Sequence, residues 1–286
     1  MPQFIPSRLH DLGGFSVGRV LPAPQLRCCG PFVFFDHIGP AVLGGEHSIS
    51  VRPHPHIGLA TVTYLWEGAM MHRDSLGCVQ EVLPGDVNWM IAGRGIVHSE
   101  RTAERLVGTP HPVHGLQTWV ALPRAHEEHE PAFQHHPKAS LPVLEREGAT
   151  LTIVAGHGFG ARSPVAVLSG TLYVSIELRA GASLQIPAEH VERALYPVAG
   201  ELTLDDVALP RNTLALLDPD TQPLLRAVSD ARVMLVGGEP LDGPRHLWWN
   251  FVSSSRERIE QAKADWREGR FAAVPGETEF IPLPDR

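Results

Sequence analysis

Short apolar runs separated by turn residues dominate the chain between residues 32 and 122. Apolar and polar positions alternate with the period of β-strands, and no 3.6-residue helical period runs through this region. Gly-Pro, Gly-Gly and Pro-Gly pairs separate the runs and are typical of tight turns. The runs are FVFF, SISV, TVTYLW, VQEVL, VNWMI and LQTWVAL. The pattern predicts an all-β sandwich or barrel rather than a parallel α/β sheet.

A second β-rich stretch predicts a second domain of the same class. Its runs are LTIVAG, LYVSIEL, SLQIP, RALYPVAGELTL, LALLD and ARVMLVGG. The sequence HEEHEPAFQHH between the two stretches is polar and lacks a strand pattern, so we predict a solvated linker there. We expect an N-terminal domain over 1–125, the linker over 126–136, a C-terminal domain over 137–243 and a final segment over 244–286.

The final segment contains the one strong helix signal. Its run HLWWNFV predicts one more strand. Ser254, with Glu257 three residues later, forms a capping-box signal at the start of a helix. Apolar residues at helical spacing then predict a helix over 255–268, and the tail FIPLP should pack as an extended strap.

Charge and cysteine content limit the classes of partner. The net charge is −8, and the 24 Lys and Arg residues form no basic run, which disfavours direct binding to nucleic acid. Three cysteines cannot build the disulfide framework of a small secreted domain. We find no signal-peptide pattern and no apolar run of about 18 residues, so we expect a cytoplasmic protein without a membrane span.

Two pairs of polar side chains, each spaced two residues apart, are the strongest chemical signal. His54 and His56 flank Pro55, and His98 and Glu100 repeat the spacing. In a strand the period of two places both members of a pair on one face. Ordinary strand histidines would explain one such pair, but two pairs favour a metal site. Three imidazoles and a carboxylate suit divalent Fe, Mn, Co, Ni, Cu or Zn and leave open the positions that a catalytic metal needs.

The spacing resembles the first motif of the cupin superfamily, G-x5-H-x-H-x3or4-E-x6-G. From His54 the match runs to Gly68, with Thr61 at the glutamate position. The second cupin motif contributes His98 but has no counterpart of Glu100. The missing carboxylate is therefore expected to come from another strand.

That exchange and the surrounding sequence resemble the pirin family over most of residues 30–125 and 236–284. The segments are GPFVFFDHIGP, RPHPHIGLATVTYLWEG, HRDSLG, PGDVNWMIAGRGIVHSER and PRHLWWNFVSSSRERIEQAKADW. The resemblance implies a bicupin, an all-β fold of two antiparallel, jelly-roll type β-barrels with a short C-terminal helix, whose N-terminal barrel holds the metal. The family's three histidines and one glutamate fall on His54, His56, His98 and Glu100.

The C-terminal stretch keeps the glycine frame of the first cupin motif, at Gly181 and Gly200. Its ligand positions hold Pro187, Glu189 and Arg193 instead of two histidines and a glutamate. We therefore expect this second barrel to hold no metal.

The resemblance implies a metal-dependent oxidoreductase of the quercetin 2,3-dioxygenase type. Its substrates would be a flavonol or related aromatic enol and dioxygen. One divalent transition metal per chain is expected, Fe(II) first, with Mn, Co, Ni, Cu or Zn as alternatives. Glu100 would be both a ligand and the catalytic base that takes the hydroxyl proton.

The alternative comes from a different class of function. Some pirins resemble non-enzymatic, metal-containing regulatory proteins that bind a protein partner, as transcription cofactors or modulators of a metabolic enzyme. A zinc hydrolase is a weaker hypothesis, because no separate base stands in an H-E-x-x-H helix.

Two further positions are open at this stage. His72 and Asp74 in HRDSLG could orient a neighbouring group, but the turn preference of Asp-Ser-Leu-Gly explains them without function and is the favoured interpretation. His37 precedes the predicted metal strands and could lie beside a ligand or in a cavity.

Overall fold

The computed structural model describes residues 2–12, 15–44 and 48–284. The backbone divides into two compact units. The first comprises Met1–Leu9, Gly18–Phe35 and Ala139–Pro240. The second comprises His10–Val17, Asp36–Lys138 and Leu241–Arg286.

Strands dominate both units. They are β1 (Phe4–Pro6), β2 (Arg8–Asp11), β3 (Ser16–Leu21), β4 (Phe32–Leu43), β5 (Ser50–His56), β6 (Leu59–Glu67), β7 (Met70–Asp74), β8 (Val79–Val82), β9 (Val87–Ile91), β10 (Ile96–Thr102), β11 (His111–Ala121), β12 (Ala132–His136), β13 (Val143–Arg146), β14 (Ala149–Gly158), β15 (Ala161–Arg162), β16 (Thr171–Leu178), β17 (Ser183–Gln185), β18 (Glu192–Ala199), β19 (Leu202–Leu204), β20 (Val207–Leu209), β21 (Thr213–Leu217), β22 (Leu224–Ala227), β23 (Ala231–Gly238), β24 (His246–Trp248) and β25 (Phe251–Ser253). Helical structure in the described ranges is one α-helix, α1 (Arg256–Arg267), and the 3-10 turns Glu104–Leu106, Arg124–His126 and Lys138–Ser140. None of these described helices is long and apolar enough to cross a membrane.

The first unit contains two antiparallel sheets around one apolar core. The larger sheet has the order β1-β21-β18-β23-β16-β14-β13, with β15 paired to β14, and the smaller has the order β17-β22-β19-β20. Both sheets contribute to the core, for example Ile153 and Leu195 from the larger and Leu184 and Leu225 from the smaller. Burial between two apolar sheet faces is what holds such a sandwich together.

The second unit repeats the plan. Its larger sheet has the order β12-β9-β6-β11-β4-β3-β2, and its smaller sheet has the order β5-β10-β7-β8. Leu65 from the larger sheet and Met70 and Val82 from the smaller share one core. Over the described residues, neither unit's hydrogen-bonded ladder closes on itself. The predicted all-β, two-domain class is thus confirmed, as cupin-like sandwiches rather than closed barrels.

The N-terminal strand β1 pairs with a strand of the first unit, far along the chain. Phe4 lies opposite Ala215 and Pro6 opposite Thr213. The predicted domain boundaries place strand β1 in an N-terminal domain over 1–125. The backbone contacts instead group Met1–Leu9 with Ala139–Pro240. A three-residue strand carries too little pattern to reveal its partner.

The prediction of a strandless segment at 126–136 is wrong. Ala132–His136 forms strand β12, which pairs with β9 along its whole length, from Ala132 opposite Ile91 to His136 opposite Val87. Strand β12 lies at the edge of its sheet, and its side chains are all half-buried. An edge strand tolerates polar residues on both faces, so its sequence lacks the apolar alternation of the central strands.

The C-terminal segment differs from the prediction in two local details. The run HLWWNFV forms a hairpin of β24 and β25 rather than one strand, because Trp249 adopts a left-handed conformation with φ of 50° at the turn. Helix α1 confirms the prediction of a helix over 255–268, but its N-cap is Ser255 and not Ser254. The Ser255 hydroxyl accepts the Arg258 backbone N–H, and the chain turns one residue later than the capping-box spacing predicts.

Gly58 allows the C-terminal hairpin to approach strand β5. Its φ is +67°, and a Cβ at this position would lie 1.9 Å from the Val252 carbonyl oxygen. Val252 N–H also donates to the Ile57 carbonyl at 3.2 Å. Only glycine permits both the left-handed backbone and this close contact.

We predict that Gly58→Ala destabilises the protein more than Gly108→Ala. Both positions have positive φ, but a Cβ at Gly108 meets nothing within 4 Å. The Gly108 variant should therefore lose only the left-handed penalty of about 1–2 kcal/mol, while the Gly58 variant also has to displace backbone. Urea denaturation of the two variants and the wild type measures the difference. Equal losses would show that the contact with Val252 is unimportant.

Candidate metal centre

Strands β5 and β10 bring the two predicted histidine pairs together. They are antiparallel neighbours, with His98 directly opposite His54 and Ile96 opposite His56. Beyond His98 the register shifts, so that Glu100 lies opposite Val51 and β5 holds one residue more than β10. This is a β-bulge, which bends the strand and redirects its side chains.

The three imidazoles form one compact, buried group. Each of His54, His56 and His98 offers a ring nitrogen, and these three atoms all lie within 4.8 Å of one another. The closest measured approach is 3.1 Å, between His56 Nε2 and His98 Nε2. All three side chains are almost fully shielded from solvent. The structure confirms the prediction that these histidines converge, and such a group could hold a metal ion.

Backbone carbonyl groups fix the tautomers of two of the rings. His54 Nδ1 donates to the Arg52 carbonyl at 2.9 Å, and His56 Nδ1 donates to the Asn250 carbonyl at 3.1 Å. A carbonyl oxygen can only accept, so in both rings Nδ1 holds the proton and Nε2 presents a lone pair. Both lone pairs are therefore available to a metal, as in known metal-binding histidines.

Burial keeps the rings uncharged. Desolvation lowers the pKa of His54 to about 4, against a smaller opposing effect of the Arg52 carbonyl. Desolvation and the neighbouring imidazoles lower the pKa of His56 and of His98 well below the usual range. His56 Nε2 and His98 Nε2, 3.1 Å apart, are close enough to share a hydrogen bond or to bind one metal ion between them. The donor set fits a divalent transition metal, which prefers neutral imidazole.

Glu100 lies on the same face of β10 as His98 but outside the group of three nitrogen atoms. Its Oε1 accepts a hydrogen bond of 2.9 Å from Gln117 Nε2. Gln117 Oε1 in turn accepts from the Thr63 hydroxyl at 2.7 Å, which fixes the orientation of the amide. The carboxylate is buried, and its role as the fourth ligand stays a prediction.

His72 and Asp74 line the same sheet face beside β10. In the pairing of β7 with β10, Asp74 lies opposite His98 and His72 lies opposite Glu100. His72 Nε2 is 3.0 Å from Asp74 Oδ2, and His72 Nδ1 is 3.4 Å from His98 Nδ1. The His72 ring stacks on Phe133 of strand β12 at 4.4 Å between centroids. The segment predicted as a linker thus helps to enclose the site.

The other candidates from the sequence lie elsewhere. His37 Nε2 is 2.9 Å from His114 Nε2, and neither belongs to the group of three histidines. In the first unit, the Arg193 guanidinium donates to the backbone carbonyls of Pro187, Asp218 and Thr221. The Glu189 carboxylate there accepts the backbone N–H groups of Phe159 and Gly160. These side chains therefore serve the backbone around them.

Sequence reasoning missed Gln117, Asn250 and the contact of His72 with the site. The H-x-D spacing of His72 and Asp74 repeats the spacing of the metal pairs, and this was an available signal. Gln117 is a polar residue within an otherwise apolar strand run, which was a weaker signal. Asn250 contributes only its backbone carbonyl, so no side-chain pattern could have identified it.

Comparisons with known proteins cover both halves of the chain. Residues 14–120 match the family model described as Pirin, and residues 173–272 match that of the Pirin C-terminal cupin domain. The matches include both strands that carry the three histidines.

Relatives and solved structures agree with the family models. A pirin-like protein of Caulobacter vibrioides is 49% identical over 283 residues, which are 98% of this chain and 98% of that protein. A crystal structure described as quercetin 2,3-dioxygenase from Acinetobacter baumannii is 33% identical with a TM-score of 0.91, covering 100% of this chain and 96% of that one. A bacterial pirin from Escherichia coli, crystallised in complex with nickel(II), shares the fold at 18% identity and a TM-score of 0.66, over 84% of this chain and 100% of that one. The chain therefore belongs to the pirin family.

Proposed function

We propose that this protein is a metal-dependent dioxygenase of the quercetin 2,3-dioxygenase type. Its substrate would be a flavonol or related aromatic enol, whose heterocyclic ring is opened by dioxygen with release of carbon monoxide. The observation that carries the proposal is the convergence of three uncharged imidazoles in a buried site, with Glu100 on the same sheet face. The relative described as quercetin 2,3-dioxygenase supports the choice of reaction.

His54, His56 and His98 would hold the metal, with Glu100 as the fourth ligand. A bound divalent transition metal lowers the pKa of a coordinated hydroxyl group and supplies a centre for reaction with dioxygen. We propose Fe(II) as the native ion. Three imidazoles and a carboxylate also suit Mn, Co, Ni, Cu and Zn, so the ligands do not select it by themselves.

Glu100 is suited to accept the proton of the substrate hydroxyl. Desolvation raises the pKa of its carboxyl group to about 7, against the smaller opposing effect of the hydrogen bond from Gln117. A base works best when its pKa lies near the working pH, because it is then both available and strong enough. The Gln117 amide, itself held by Thr63, keeps one carboxylate oxygen in place, and the second oxygen would take the proton when Glu100 swings away from its ligand position.

We predict that Glu100→Gln stabilises the metal-free protein at pH 8 but has little effect at pH 5. The pKa of Glu100 is raised in the folded state, so the folded protein pays for ionising it as the pH rises from about 4.5 to about 7. Glutamine removes that cost and can still accept from Gln117. Melting temperatures of chelator-treated protein at both pH values test this.

Glu147→Gln is the matched control, because Glu147 is exposed. It should change the melting temperature little at either pH. A Glu100→Gln effect that does not grow with pH would contradict burial as the cause of the raised pKa.

We predict that His56→Ala abolishes quercetin turnover and metal binding while the fold persists. His56 contributes one of the three converging ring nitrogen atoms, whereas the apolar cores of a unit this size do not depend on a metal for stability. Oxygen uptake, carbon monoxide release, metal content and melting temperature are measured on wild type and variant. His111→Ala is the control, since His111 is buried in the same unit but lies outside the metal group.

The same measurements separate the proposal from the regulatory alternative. An enzyme should consume oxygen with quercetin in the wild type and in His111→Ala, and not in His56→Ala. Wild-type protein loaded with Fe, Mn, Co, Ni or Cu that leaves flavonols intact would exclude the proposed substrate class. That result would favour a metal-containing protein that acts by binding a protein partner.

A further inference from the structure

We propose that Asp74 and His72 are positioning residues that fix the tautomer of His98 and thereby its capacity to bind metal. The inference rests on the proposed metal centre but not on the proposed reaction. It assigns a role to a buried His-Asp pair that turn formation alone does not explain.

Asp74 is fixed in place by its own turn. It is fully buried, and its Oδ1 accepts the backbone N–H groups of Leu76 at 2.9 Å and Cys78 at 3.1 Å. These bonds are the turn chemistry that the sequence predicts. They occupy only one carboxylate oxygen. The second oxygen, Oδ2, lies 3.0 Å from His72 Nε2.

With Asp74 ionised and His72 neutral, the hydrogen bonds from Asp74 to His98 can run in only one direction. An ionised carboxylate only accepts, so His72 Nε2 must donate to Asp74. In the neutral imidazole the other nitrogen, Nδ1, is then an acceptor. It lies 3.4 Å from His98 Nδ1, which therefore has to be the donor. His98 Nε2 is left with a lone pair and faces His56 Nε2 at 3.1 Å.

With these hydrogen bonds from Asp74 through His72, each of the three histidines has an acceptor for its Nδ1–H group. His54 and His56 donate their Nδ1–H to backbone carbonyl groups, which cannot change their hydrogen-bonding role. Among the residues that the structure describes, no backbone carbonyl accepts from His98 Nδ1, and His72 takes the corresponding place. Side-chain partners of this kind orient metal-binding histidines and set their basicity. The stacked Phe133 ring holds the His72 ring in its plane.

Asp74→Asn is the sharpest test, because asparagine keeps the shape of the side chain and reverses the direction of the hydrogen bonds that run through His72. The Asn Oδ1 can still accept from Leu76 and Cys78, so the turn is kept. Its NH2 group then faces His72 and must donate, which makes His72 Nε2 the acceptor and Nδ1 the donor. His98 Nδ1 becomes an acceptor, and its Nε2 carries the proton in place of the lone pair. In a Ser-His-Asp triad the same exchange preserves geometry and fails through the wrong tautomer.

We predict that Asp74→Asn weakens Ni2+ binding by about 10–100-fold, the usual effect of losing an outer partner of a ligand. The affinity of metal-free full-length protein is measured by competition with a chelating dye, and the visible spectrum of the Ni2+ complex is recorded. The melting temperature of the metal-free variant should stay near that of the wild type. His111→Leu serves as the control for loss of a buried histidine and should bind Ni2+ normally.

Two variants of His72 give an independent comparison. Both His72→Leu and His72→Gln lose the ring stacked on Phe133. Only glutamine can accept from His98 and donate to Asp74. We expect His72→Gln to retain most of the Ni2+ affinity and His72→Leu to lose as much as Asp74→Asn.

The outcomes separate this inference from the proposed reaction. Folded Asp74→Asn that binds Ni2+ as tightly as the wild type would overturn it, as would equal affinities of the two His72 variants. Wild-type protein that binds no Ni2+ would remove the metal centre and the inference together. Absence of quercetin turnover alone would leave the inference standing, since neither flavonol nor oxygen enters the binding assay.

Discussion

The antiparallel pairing of β5 with β10 is the constraint on which the site depends. It places His54 opposite His98, and the period of two along each strand adds His56 and Glu100 to the same face. A slip of one residue in either strand would turn that strand's pair of side chains to the opposite face. The bulge in β5 follows from the same pairing, because the extra residue frees the Arg52 carbonyl to accept from His54. Register therefore sets both which imidazoles meet and how one of them is held.

Burying these polar groups is unfavourable, and the rest of the second unit has to compensate. Three buried imidazole nitrogen atoms converge, and desolvation opposes the charged form of Glu100. Each group nevertheless has a hydrogen-bonding partner. The partners of His54 and His56 are the backbone carbonyls of Arg52 and Asn250. His98 contacts His72, and Glu100 accepts from Gln117. Those partners lie on elements that are held in place by apolar cores. The positions of the three histidines and Glu100 therefore do not depend on contacts among these four side chains. A site built in this way is preorganised, and its three histidines could hold a metal ion.

The sequence predicted those features that depend on a local pattern of residues, and it did not predict those that depend on contacts between distant residues. Strand alternation predicted the fold class, and helical spacing predicted helix α1 to within a residue at each end. The paired spacing predicted that the three histidines converge. Strand β12 was not predicted, because an edge strand needs no apolar face. The β24–β25 hairpin was not predicted, because Trp249 adopts a left-handed backbone conformation that its residue type disfavours. Three of the four partners, Gln117, His72 and Asn250, lie 17, 26 and 194 residues from the side chains that they contact, and single-sequence patterns do not report such contacts.

The first unit shows what the same glycine frame does when its ligand positions hold Pro187, Glu189 and Arg193 instead of histidines. Three backbone carbonyl groups converge on the buried Arg193 guanidinium, which is permanently charged and can only donate. A covalently attached cation thus satisfies acceptors that would otherwise be buried without partners. In the second unit the converging groups are imidazole lone pairs, which are softer donors that also accept a transition metal. A cation built into the chain cannot be exchanged or leave positions open for a substrate. Arg193 therefore supplies a permanent structural charge in the first unit, whereas the three histidines of the second unit form a group that could hold an exchangeable cation.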